Sequence, residues 1–186
     1  MYIDFENENI KKIIEDAAKM TPYDIIKMSC NNDNDEGVCA LIQSGLVNHE
    51  TMINLTKMYG VSHTIKEEII EHMYMYSQEY VDKCCRNASY STESVELIRT
   101  IVRYGSINEV KKYVASNDNI VRHTIIDRFP VLVPVKYLFD AQASNDTSIK
   151  IRLINSGLFI YDLSNDSDEC ISAVAEMYLN KKGGVE

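Results

Sequence analysis

NDNIVRHTIIDRFP, residues 117–130, combines helix-starting residues (Asn117-Asp118-Asn119), an apolar pair (Ile125-Ile126) and a proline stop (Pro130). Asn and Asp side chains accept hydrogen bonds from the first free N–H groups of a helix, and proline cannot continue one. The same grammar recurs along the chain. Apolar pairs stand at Ile13-Ile14, Leu41-Ile42, Ile69-Ile70, Ile101-Val102, Ile125-Ile126, Leu153-Ile154 and, less well, Val174-Ala175, separated by 28, 28, 32, 24, 28 and 21 residues.

The columns around these anchors agree in chemistry. Two positions after each pair's first residue stand Glu15, Gln43, Glu71, Arg103, Asp127, Asn155 and Glu176, all polar. Four positions after stand Ala17, Gly45, Met73, Gly105, Phe129, Gly157 and Tyr178, all apolar or Gly. Helix-starting patches precede the anchors at Asn7-Glu8-Asn9, Asn34-Asp35-Glu36, Ser62-His63-Thr64, Thr92-Glu93-Ser94, Asn117-Asp118-Asn119, Asp146-Thr147-Ser148 and Ser167-Asp168-Glu169. An apolar anchor with an apolar residue four positions on supplies the buried stripe of a helix.

A second helix is expected in most units. Thr21-Pro22 opens the first, with Pro at a helix start where its missing N–H costs nothing. Residues 48–58, 77–85 and 106–115 repeat the arrangement with Ile53, Val81 and Val110 facing inward, and Pro134 precedes another over 135–139. Residues 159–163 are short enough to degrade to a turn. Helical hairpins of this length cannot hide their apolar faces alone, and stacking them makes one continuous core. The expectation is an all-α, right-handed α-solenoid of six to seven helical hairpins with a period of about 28 residues, in a single domain over 1–186.

Segments 118–126 and 146–154 carry a resemblance. Asp118…Val121-Arg122…Ile125-Ile126, Asp146…Ile149-Lys150…Leu153-Ile154 and, more loosely, Asp168…Ile171 resemble the HEAT-like and variant leucine-rich repeats, whose units open with Asp, a short gap, then Val-Arg and an apolar pair. The likeness covers the last third of the chain well and the rest loosely. Two departures stand out: the Asn-Pro common in variant leucine-rich units is absent, and the iron–sulfur cysteine cluster of one branch has no counterpart. The resemblance implies a helical-repeat scaffold of the kind that binds proteins and sometimes nucleic acid.

Composition narrows the function classes. With 45% hydrophobic residues, 7 Gly, 3 Pro and no long apolar run, the chain reads as one that folds around a core and does not span a bilayer. Its N-terminal segment is acidic where a secretory signal would be basic, so a cytoplasmic protein is expected, in a host cytoplasm if the origin is viral. Five cysteines without CxxC or Cys/His spacing read as reduced, mostly buried thiols. The net charge of −9 disfavours unspecific binding to phosphate or anionic lipid.

That charge is unevenly spread. Residues 1–98 carry 8 Lys/Arg against 17 Asp/Glu, residues 99–152 carry 9 against 5, and residues 153–186 carry 2 against 6. The basic segment supplies the expected partner-binding residues: Arg99, Arg103, Lys111, Lys112, Arg122, Arg128, Lys136, Lys150 and Arg152. Lys66, Arg122 and Lys150 stand at equivalent positions, three before their anchors. The partner expected there is a protein with an acidic surface.

The chemistry-bearing residues read as structure. His63, Glu67, Glu71 and His72 share adjacent turns, but there is no HExxH and they read as a solvated face. Glu67, Glu68 and Glu71 read as surface charge, since acid–base work sets two carboxylates in different environments. Cys84-Cys85 has no His at a nucleophile's offset and reads as one core-facing thiol beside one facing the next unit. Met73-Tyr74-Met75-Tyr76 with Tyr80 reads as core and groove packing.

No cofactor, no metal and no catalysis are expected. The leading functional expectation is a protein–protein interaction module. Richness in Asn, Asp, Ile, Lys and Tyr suits a phage or viral protein that binds a host factor, and self-association is compatible with the repeat. The alternative is a HEAT-repeat protein that binds nucleic acid or acts as a DNA glycosylase, disfavoured by the negative charge and the absence of Trp.

Overall fold

The computed structural model describes residues 2–90 and 94–183. Among the described residues the chain is all-α, with no strand. It divides into two compact units, Met1–Val110 and Lys111–Glu186, where a single domain over 1–186 was expected.

The first unit contains α1 (Glu8–Asp16), α2 (Pro22–Ser29), α3 (Asp35–Gln43), α4 (His49–Lys57), α5 (His63–Tyr74), α6 (Gln78–Ser89), α7 (Val95–Tyr104) and the single turn α8 (Ile107–Val110). Here α1 packs on α3, α3 on α5 and α5 on α7, while α2 packs on α4, α4 on α6 and α6 on α8. The second unit contains α9 (Asn119–Arg128), α10 (Lys136–Ala143), α11 (Thr147–Asn155), the single turn α12 (Ile160–Leu163) and α13 (Glu169–Gly183). There α9 packs on α11 and α11 on α13.

The helix starts follow from local chemistry. Asn7, Ser62, Ser94, Asp118 and Asp146 are N-caps whose side chains accept from the backbone N–H of Asn9, Ile65, Leu97, Val121 and Ile149. Asp168 does the same for Cys170 at the head of α13. Thr21 and Asp24 form a reciprocal capping box at α2, and Asn48 caps α4. Asn34 precedes α3 without a side-chain cap bond, and Thr92 and Glu93 lie outside the described residues. The helix expected over 106–115 ends at Val110, and the expected short segment 159–163 is the single turn α12.

The anchors form the core unequally. Leu41-Ile42, Ile69-Ile70, Ile101-Val102, Ile125-Ile126 and Leu153-Ile154 are fully buried, whereas Ile13-Ile14 is half-buried and Val174 is exposed beside a buried Ala175. The column four residues after the anchors departs from the buried stripe expected of it. Gly45 and Gly157 are there to end helices: each has a positive φ, +69° and +75°, that an L side chain rarely adopts. The N–H of Leu46 bonds the carbonyl of Leu41 at 2.9 Å, and Leu158 bonds Leu153 at 2.8 Å, closing Schellman turns over the orphan carbonyls. Gly45 has open space around it, so Gly45→Ala isolates the backbone term. A loss of about 1–2 kcal/mol in urea unfolding is expected.

Candidate interaction surfaces

The cations expected to form a binding face do different jobs. Lys150, on the first turn of α11, is 1% exposed. Its ammonium donates to Asn145 Oδ1 at 3.0 Å and to Asp166 Oδ1 at 2.9 Å, and the Asp166 side chain is itself 2% exposed. Asn145 sits in the left-handed region at the C-terminal turn of α10, where Asn is tolerated because its short polar side chain bonds locally. Burial alone would raise the Asp166 carboxyl. The Lys150 hydrogen bond, the backbone N–H of Asp168 and the Lys150 charge outweigh it and hold the carboxyl below the ordinary carboxylate range.

Arg122 repeats the arrangement on α9. Its Nη2 donates to Asn117 Oδ1 at 3.0 Å and Asp140 Oδ2 at 2.8 Å, its Nε donates to the Ser116 carbonyl at 2.8 Å, and its guanidinium lies over the Tyr137 ring. Each cation therefore fastens the loop before its own helix to an acid further along the chain. Lys66 occupies the same position on α5 and is also buried, with its pKa lowered by that burial. Arg122 and Lys150 are thus withdrawn from the cationic surface expected of them, because their charges are committed inside the unit.

The other expected contact residues are more open. Arg152 is paired with Asp127, and Arg99 reaches Glu96 at 3.9 Å. Arg103 in the first unit, and Lys111, Lys112, Arg128 and Lys136 in the second, are exposed; Arg128 lies over the Phe129 ring.

Residues that could carry covalent chemistry are sequestered. Cys84 and Cys85 are both fully buried, so neither faces out of the unit. Burial pushes the Cys84 thiol up to about 12 against the lowering influence of Thr56 and Lys83. Burial, reinforced by Glu68 and Asp35, likewise pushes Cys39 to about 12. A thiol is nucleophilic only as thiolate, so iodoacetamide at pH 8 is expected to modify the exposed Cys30 and Cys170. Cys39, Cys84 and Cys85 should react only after urea unfolding, as read by peptide mass spectrometry. Among the described residues no three His, Cys, Asp or Glu side chains are grouped to hold a metal ion. Nor is any helix there long and apolar enough to cross a membrane.

A surface that the sequence reading assigned to packing is open. Met73 is core, but the next three side chains are not: Tyr74 and Tyr76 are 54% exposed and Met75 is 73% exposed. The helix explains this. α5 ends at Tyr74, so residues beyond it leave the periodicity that buries Ile69, Ile70 and Met73.

The exposed run is framed by rings. On one side the Tyr76 ring meets His49 edge-on at 4.6 Å and lies 5.2 Å from the buried His72, with Tyr80 5.3 Å from His49. On the other side the Tyr74 ring lies tilted, 5.1 Å from that of Tyr104 at the end of α7. Burial lowers the His72 pKa, opposed by Glu68 and reinforced by His49. Four consecutive large side chains at a helix end are the signal for this surface, since one helix face cannot bury all four.

Compared with known protein families, characterised proteins and solved structures, the chain matches none. In the second unit a cleft of about 660 Å³ is lined by Phe159, Tyr161, Asp162 and Tyr178 among others, with Phe159 itself at a φ of +53°.

Proposed function

We propose that the chain is a non-enzymatic protein–protein interaction module whose hairpins stack as short α-solenoid repeats of the HEAT-like, variant leucine-rich kind. Within each unit the packing of alternate helices, α1–α3–α5–α7 and α9–α11–α13, supports the stacked reading. So do the recurring N-caps and the five fully buried anchor pairs. Lys150 and Arg122 add a tie of the same design at equivalent places, as repeated units would.

The observation that carries the interaction role is the Tyr74-Met75-Tyr76 surface with its flanking rings. Scattered apolar side chains on a surface need no explanation, but a contiguous aromatic and Met cluster has the composition of an interface core. Tyr contributes large contact area at low entropic cost, which is why it recurs at binding hot spots. The exposed Lys111, Lys112, Arg128 and Lys136 of the second unit are further candidate contacts, suited to an acidic partner.

The test is capture of proteins from native extract by the tagged full chain, after nuclease treatment. It is run beside Tyr74→Ser/Tyr76→Ser and Arg128→Glu/Lys136→Glu. The expected result is a protein retained by the unmodified chain and lost with one of the two variants. Recovery of nucleic acid alone, or a captured set unchanged by both variants, overturns the proposal.

A further inference from the structure

We infer that the face formed by Tyr74, Met75, Tyr76 and Tyr104 of the first unit docks an arginine-bearing segment of a partner protein. The inference rests on the interaction-module reading above and adds the chemistry of the partner.

Charge complementarity selects the occupant. The first unit holds 10 Lys/Arg against 18 Asp/Glu, so most of the molecule's negative charge lies in it. Part of that charge stands beside the rings. Glu71 lies one turn before Tyr74 on α5 and accepts from the Tyr104 hydroxyl at 3.4 Å. Glu67, one further turn back, has its pKa raised by burial and then by the nearby carboxylates of Glu96 and Glu71. Glu71 is thus the carboxylate at the Tyr74–Tyr104 pair, with Glu67 and Glu96 farther back along α5 and α7. Glu96 is paired with Arg99 at 3.9 Å.

The geometry separates arginine from a generic cation. Guanidinium is planar and weakly hydrated, stacks on aromatic faces and bonds carboxylates bidentately, whereas an ammonium is a strongly hydrated point charge. The exposed Tyr74 ring, beside the half-buried Tyr104 and with the Glu71 carboxylate at the pair, offers both contacts together. The opposite flank is less suited: the groove beside His49 and Tyr80 is lined by two cations, Lys57 and Lys83, against one carboxylate, Glu50. The arginine is accordingly placed on the Tyr74–Tyr104 side, with the partner's apolar neighbours over Met75 and Tyr76.

Selection of a random peptide library on the full chain tests this without knowledge of the natural partner. Arginine-containing peptides are expected to be enriched. Their affinity should fall at least about tenfold in Tyr74→Ser/Tyr76→Ser and about three- to tenfold in Glu67→Gln/Glu71→Gln. Exchanging the peptide's Arg for Lys should weaken binding about threefold or more. The altered tyrosines are exposed, and matching far-UV circular dichroism verifies that the variants fold.

Several outcomes overturn the inference. Enrichment of uncharged or acidic peptides on this face does so and leaves the interaction module standing. Equal binding of Arg and Lys peptides, unmoved by the Tyr variant, would reduce the effect to net charge and also overturn it. Binding unaffected by every variant on this face, or no enrichment at all, removes this docking surface; the interaction module itself then stands or falls on the extract capture.

Discussion

Lys150→Met is expected to lower the free energy of unfolding by about 3–5 kcal/mol, the usual cost of removing one partner from a buried ion pair. Lys150 and Asp166 are 1% and 2% exposed, so solvent screening does not soften the loss. The variant leaves the Asp166 carboxylate with the Asp168 N–H at 3.0 Å but without its counter-charge. Lys150→Met/Asp166→Asn should regain most of the stability, because the amide oxygen can still accept from Asp168 and no charge is stranded. Failure of the double variant to recover would mean that Lys150 matters through packing of its methylenes and not through the pair.

The sign of the pH dependence follows from the lowered Asp166 pKa. A folded-state carboxyl below its unfolded value contributes stability that is fully present above the ordinary carboxylate pKa and is lost as pH falls through the folded value. The deficit of Lys150→Met relative to the unmodified chain should therefore be largest at neutral pH and narrow in acid below about pH 4. Urea titrations at pH 7 and pH 3, followed by circular dichroism, check both magnitude and sign. Arg122→Met should cost less, since its partner Asp140 is about a third exposed.

Lys150 also shows where sequence reading stops. The N-caps were legible because capping is local: Asp118 and Asp146 bond N–H groups three residues away. The anchor pairs were legible because helical periodicity puts Leu153-Ile154 on one face with Ile149. The same periodicity places position 150 three and four residues before that pair, on the buried face. Its charge outweighed its position in the reading, and Asp166 is 16 residues away, brought to it only by packing. A joint signal was nonetheless present: Asn117-Asp118…Arg122 and Asn145-Asp146…Lys150 share spacing, and the Asn of each pair accepts from its cation. The Tyr74-Met75-Tyr76 surface was hidden for the opposite reason. Its residue types suggest core, but Tyr74 lies off the buried face on the last turn of α5 and the end of that helix turns Met75 and Tyr76 outward.

Leu153→Ala is expected to cost about 2–5 kcal/mol, whereas Ile151→Ala on the same helix should change stability by no more than about 0.5 kcal/mol. Both residues are β- or γ-branched aliphatics on α11, but Leu153 is fully buried and Ile151 is 38% exposed. Truncating Leu153 loses transfer energy and leaves a cavity on α11, on which α9, α10 and α13 pack. The anchors also differ among themselves. Ile13, half-buried on α1, should cost clearly less than Leu41 or Ile69, and Val174→Ala less still. With two compact units in the chain, a single unfolding curve need not describe every variant. Hydrogen exchange resolved by helix identifies which unit opens: Leu153→Ala should expose the amides of the second unit, α9, α10, α11 and α13, first. Equal losses at all seven anchors would show that stability is shared uniformly along the chain and not set by the depth at which each pair is buried.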